Sequence, residues 1–178
     1  MATTVLSVAV VSLAELLCTA TRVNATSRQA TRAVILAEQK LEQLQALAWY
    51  VDDGGIAVTD LSSNVAAFAA TPACAAATNG AAVGLTTSPT GTLTANVDGY
   101  VDYVDAHGCG LGGGVVPPAG SAFIRRWSTR PSDIGPGTLA FEVLVSERGL
   151  RTAGDASGSG GRRPDEARLA GAKTRRTP

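Results

Sequence analysis

The sequence is poor in the residues from which deep sites are built. It has one histidine, three cysteines, one methionine and only three phenylalanines, three tyrosines and two tryptophans. Much of its apolar content is alanine. Such a composition supports one modest core plus extensions over 178 residues, not a large enzyme with a deep cleft. The lone histidine, His107, sits beside Cys109 in DAHGCG. Zinc wants four ligands of the His, Cys or carboxylate kind, and no second ligand pair has suitable spacing. A Cys–His nucleophile also needs an orienting third group, and none is indicated. The glycines at Gly112 to Gly114 are not followed by GK[ST], which rules out a phosphate loop. Asp98, Asp102 and Asp105 lack the spacing of a calcium loop. In a strand, Asp98 and Asp102 share one face and Asp105 the other, so these carboxylates read as a solvated face. No catalytic residue, cofactor or metal site follows, and the expectation is a protein that is not an enzyme.

An excess of one charge is also missing, since the formal net charge is zero. The balance hides an asymmetry. Residues 1–149 carry eight basic and twelve acidic residues, whereas 151–178 carry seven and three. The acidic body argues against a nucleic-acid partner, because phosphate contacts need a basic surface.

What is present begins at once. Ala2 to Thr21 is a run of apolar or small residues with one charge, Glu15, and no basic stretch before it. Twenty residues at about 1.5 Å each suffice to cross a bilayer as a helix. The pattern then continues with Ala30, Ala33, Val34, Ala37, Leu41, Leu44 and Ala48 at helical spacing. Arg28, Arg32, Glu38, Lys40 and Glu42 fill the other faces. One helix from about Ala2 to Ala48 is predicted, apolar all round in its first half and amphipathic in its second. The VDDGG at Val51 to Gly55 ends it. Glu15 lies about two turns from Arg22. It reads as a water-facing side chain, or in the sharper alternative as one partner of a salt bridge to a neighbouring subunit.

Strand patterns come late. Leu139, Phe141, Val143 and Val145 alternate with Ala140, Glu142, Leu144 and Ser146. Ala122 to Thr129 and Thr92 to Asp105 are the other strand candidates, and CGLGGGVVPPAG between them reads as a loop. Residues 56–91 read as an irregular connection. Residues 151–178, with GDASGSGG followed by RRPDEARLAGAKTRRTP, read as a disordered basic tail. Cys74 and Cys109 form the natural disulfide pair if the body lies outside the cytoplasm. Asn24-Ala25-Thr26 fits a glycosylation sequon but falls inside the helix. The resulting class is α+β: residues 1–49 a long helix packed on a small antiparallel sheet, 50–150 a β-rich domain, 151–178 the tail.

This layout resembles type IV pilins and type II secretion pseudopilins. ATTVLSVAVVSLAELL is similar to the segment that follows the prepilin cleavage motif. ATRAVILAEQKLEQLQAL resembles the second half of the helix in minor pilins of the PilV-like group. IRRWSTRPSDIGPGTLAFEVLVSERG resembles their closing strand pair. The likeness covers roughly residues 2–149. The family's Gly-Phe-[Ser/Thr]-Leu-x-Glu signature is not present, and Glu15 lies too far along to be its early glutamate. The expectation is that Met1 is an internal residue of a longer reading frame.

The resemblance implies a minor pilin-like structural subunit of a type IV pilus. Val5, Leu6, Val8, Val10, Val11, Leu13, Leu16 and Leu17 would form the membrane or filament-core helix. Ala30, Val34, Ala37, Leu41, Leu44 and Ala48 would pack it on the sheet. Partners would be other pilins or pseudopilins and the inner-membrane assembly platform, the membrane through the helix, and prepilin peptidase if the true start lies upstream. The implied location is a single-pass inner-membrane protein with its β domain outside the cytoplasm, then a surface filament or periplasmic pseudopilus. The alternatives are a type II secretion pseudopilin, or an anchored or secreted small β domain that binds something other than a filament.

Overall fold

The computed structural model describes residues 2–60, 74, 83–133, 135, 137–148 and 166–175, with helix side chains from Val10 onward. Helix α1 runs Ala2–Ala46, and its 45 residues span about 68 Å. No glycine or proline interrupts it, which accounts for its continuity. It stops just short of the predicted end: Ala48 lies beyond it and Trp49 already opens a strand. Its last turn contains no basic residue. The cap comes from the far end of the chain, where Lys173 Nζ donates to the carbonyls of Gln45 and Leu47. A cation at the exposed carbonyls of a helix C-terminus offsets their partial negative charge.

Strands β1 (Trp49–Val51) and β2 (Ala57–Thr59) form a hairpin around the DDGG turn. Asp52 Oδ1 accepts from the amides of Gly54 and Ile56, and Gly55 takes a φ of +80°, which suits glycine. The main sheet is antiparallel, in the order β4-β3-β5-β6-β7. Its strands are β3 (Val101–Val104), β4 (Gly110–Gly113), β5 (Phe123–Pro131), β6 (Thr138–Glu147) and β7 (Glu166–Thr174).

Several expectations need correction. Of Thr92 to Asp105 only Val101–Val104 is strand, because Gly91 and Gly99, both at positive φ, turn the chain before it. The glycine-rich loop contains β4, whose backbone pairs with β3 although its side chains are nearly absent. Part of the tail is not disordered. EARLAGAKT pairs residue for residue with β6, from Thr138↔Thr174 to Ser146↔Glu166. Its alternation is hidden because small residues and a lysine occupy the inward positions.

The second half of α1 lies over β6 and β7 and the fringe of β5. The core between them contains Ala33, Leu36, Ala37, Leu44, Phe123, Trp127, Phe141, Val143, Val145 and Ala167. Alanine on the helix and glycine on the strand bring the two layers close. A Cβ built on Gly171 would meet Gln45 Nε2 at 2.8 Å and Leu41 Cδ1 at 3.0 Å, closer than real Cβ contacts allow. On the other face of the sheet Val101, Tyr103 and Ile124 form a smaller cluster against Leu111. A disulfide joins Cys74 to Cys109, so Cys109 is committed and cannot act as a nucleophile or ligand with His107.

Strand β7 is an edge, and its inward-pointing Lys173 is a device that discourages further strands from adding there.

Candidate functional site: the projecting helix and its anchor

From Val10 to Arg28 every residue of α1 is exposed. The first contact with the body comes from Gln29, whose amide nitrogen donates to Glu147 at 3.0 Å, followed by Arg32, which reaches the Ala106 carbonyl at 3.5 Å. About 28 Å of helix therefore stands clear of the sheet. Leu13, Leu16 and Leu17 are 62%, 69% and 61% exposed, with Val10, Val11 and Val23 alongside. Side chains of this size normally go inside. Val5, Leu6 and Val8 belong to the same helix, but their side chains lie outside the described residues.

The polar groups of this segment are largely turned inward on the helix itself. The hydroxyls of Thr19, Thr21, Thr26, Ser27 and Thr31 donate to carbonyls four residues back, at 2.9–3.1 Å. A hydroxyl satisfied in this way can be desolvated without losing its partner. What remains polar is narrow. At 100° per residue Glu15 and Arg22 are seven positions, and hence about 20°, apart on the helix wheel. Among the described residues neither has an ion-pair partner. Cys18, a free and exposed thiol, lies between them on the same side.

The expectation of a single-pass inner-membrane anchor is overturned here. Among the described residues no helix is long and apolar enough to cross a membrane. From Val10 the run of apolar and small residues lasts only to Thr21 before Arg22, Asn24 and Arg28, and it contains Glu15. That stretch covers about 18 Å, against a hydrocarbon layer of about 30 Å.

The other half of α1 is anchored by a buried charge cluster that sequence reasoning missed. Lys40 and Asp102 both read as solvated; both are buried, Lys40 completely. Lys40 Nζ donates to Asp102 Oδ2 at 3.2 Å. Arg125, on β5, forks onto the same carboxylate, Nε to Oδ1 at 2.7 Å and Nη2 to Oδ2 at 3.0 Å. Arg125 Nη1 also reaches the Leu36 carbonyl of the helix at 3.4 Å. The Lys40 ammonium lies 3.5 Å from the centroid of the Trp127 ring, a favourable cation–π placement.

Burial pushes the Lys40 pKa down, to about 8, because desolvation and the nearby Arg125 together outweigh the pull of Asp102. Burial also pushes Asp102 upward, but Arg125 and Lys40 outweigh it and hold the carboxyl below its ordinary value. The cluster ties one helix residue to two strands, so it fixes both the height and the rotation of α1 on the sheet. One sequence signal could have found it. Asp102 and Arg125 sit on adjacent strands at facing register positions, and each is flanked by apolar or aromatic residues.

The residues expected to pack helix on sheet divide. Ala37 and Leu44 are fully buried, Val34 and Leu41 are partly buried against the core, and Ala30 and Ala48 are intermediate. Beyond the helix end lies a cleft of about 490 Å³ lined by Leu47, Trp49, Tyr50 and Lys173 among others. Its cation is already committed to the helix carbonyls.

Comparison with family models, with curated proteins and with solved structures finds no match to this chain. The functional reading therefore rests on the geometry and on the likeness of the sequence motifs.

Proposed function

We propose that the chain is a structural subunit of the minor-pilin kind, which joins a filament by packing its projecting helix among other such helices. The observation that carries this reading is the bare segment Val10–Arg28, rigidly continuous with a helix that is locked to a folded body. An apolar helix with no partner in its own chain is an interaction surface. Its hydroxyls are satisfied internally, so packing it against like helices costs little desolvation. The sheet domain would then face outward, and the guarded β7 edge keeps growth from running through the sheet.

The test is self-association of the full-length chain, followed by sedimentation velocity over a wide concentration range and by electron microscopy. Reversible, concentration-dependent assembly that Leu13→Asp/Leu17→Asp abolishes, with the melting temperature of the body unchanged, is the expected result. A chain that stays monomeric at the highest concentrations reached would sink the reading.

A further inference from the structure

Glu15 and Arg22 are the charged residues of the bare segment between Val10 and Thr26. They share one narrow stripe of an otherwise apolar surface, yet a seven-residue spacing puts them about 10.5 Å apart along the axis, too far to pair with each other. Packing the helix against any apolar partner would bury both charges unpaired, at a cost of several kcal/mol per ion. A second copy of the same helix removes that cost, because it brings the complementary charge at the same spacing.

Resting on the assembly reading above, we infer that neighbouring copies pack their α1 helices in parallel with a stagger of seven residues, so that Glu15 of one copy pairs with Arg22 of the next. The stagger brings matching faces together, since two residues seven apart lie almost in line on the helix wheel. Each copy then offers an unused Arg22 at one level and an unused Glu15 at the other. The contact is heterologous, and repetition extends it without closure. The thiol side of the helix lies in this contact: position 11 of one copy stands level with Cys18 of its neighbour, while the two Cys18 residues are about 10.5 Å apart. One other arrangement also pairs both charges, an antiparallel dimer centred between positions 18 and 19. That dimer is closed, and it puts the two Cys18 residues about one residue apart along the axis, near enough for a disulfide.

Two experiments on the full-length chain test this. In the first, Glu15→Arg and Arg22→Glu each weaken self-association by about tenfold or more, and the double variant Glu15→Arg/Arg22→Glu recovers most of the loss. Recovery is a readout that a general loss of structure would not give. Circular dichroism of each variant at low concentration checks that the fold is kept. In the second, the chain is treated with a mild oxidant during assembly. The unaltered chain forms no Cys18–Cys18 disulfide, whereas Val11→Cys, paired with the native Cys18, yields a ladder of cross-linked dimers, trimers and higher species.

Failure of the double variant to recover in a chain that still assembles overturns the charge pairing and leaves the assembly reading standing. Disulfide-linked Cys18 dimers in the unaltered chain, with no ladder from Val11→Cys, overturn the stagger in favour of the closed dimer. Absence of any association overturns the assembly reading, and the stagger with it.

Discussion

The two halves of α1 are one uninterrupted helix with opposite fates. Past Gln29 the helix rests on the sheet, and Ala33, Ala37, Lys40 and Leu44 show no exposed surface. Before it, three leucines and three valines stand more than half exposed. Apolarity therefore does not decide which half is covered, since a lysine is buried in one and leucines are bare in the other. What decides is complementarity with the sheet. Small residues on the docked half let the backbone approach, Gly171 receives Leu41 and Gln45, and Asp102 waits for the one cation that points inward. The bare half has none of this matching within its own chain.

The largest effect that would break this contrast is expected at the buried charge cluster. Asp102→Ala leaves Lys40 and Arg125 facing each other in the core without their shared carboxylate. Breaking a buried pair on one side costs about 3–5 kcal/mol, and urea unfolding should show the loss directly. Lys40→Met keeps the Arg125–Asp102 pair and replaces the cation by an apolar chain of similar length. Its expected effect is near neutral or mildly stabilising. A large loss in Lys40→Met would show that the ammonium, through Asp102 and Trp127, holds the helix in place by more than its bulk.

A matched pair of truncations sharpens the contrast between the halves. Leu44→Ala removes a fully buried side chain and should cost about 2–5 kcal/mol. Leu16→Ala removes one that is 69% exposed, and in the dilute monomer it should cost less than about 0.5 kcal/mol. Equal losses would mean that the bare segment has a partner within the chain. At assembling concentrations the ranking should change, with Leu16→Ala now weakening association.

Much of the architecture could be read from the sequence because helical and strand periodicities are local. The helix, strand β6 and strand β5 announce themselves through residues two or four apart. The cluster at Lys40 does not, because a lysine at a polar-looking position gives no local sign of a carboxylate 62 positions away in the chain. Strand β7 was hidden for a related reason. Its inward residues Ala167, Gly171 and Lys173 are individually poor strand or core signals. They make sense only opposite Leu41, Gln45 and the end of α1, which the sequence does not set beside them. The membrane expectation failed because the length of the apolar run was judged by composition, whereas the stretch described from Val10 reaches Arg22 too soon.

The smallest expected effect is also the most specific to the docked half. The folded Lys40 has a pKa of about 8, against an ordinary value of 10.5. Below pH 8 Lys40 is charged in both folded and unfolded chains, so the cost of burying the cation is fully present. Between pH 8 and about 10 the unfolded chain binds more protons than the folded one, and stability must rise with pH. The rise is on the order of 2 kcal/mol over that interval. It ends as the tyrosines begin to ionise, because burial raises Tyr100 and Tyr103 above their ordinary value, and their contribution is lost as pH climbs through it. Asp102 behaves in the opposite sense at the acid end. Its lowered pKa contributes stability above the ordinary carboxylate range that is lost as pH falls through the folded value. Thermal melts of a Cys18→Ser chain at low concentration should therefore show a melting temperature several degrees higher at pH 10 than at pH 8. The same series on Lys40→Met should be flat across that window. A rise that survives in Lys40→Met would assign it to some other group and leave Lys40 buried without the strained proton that the geometry gives it.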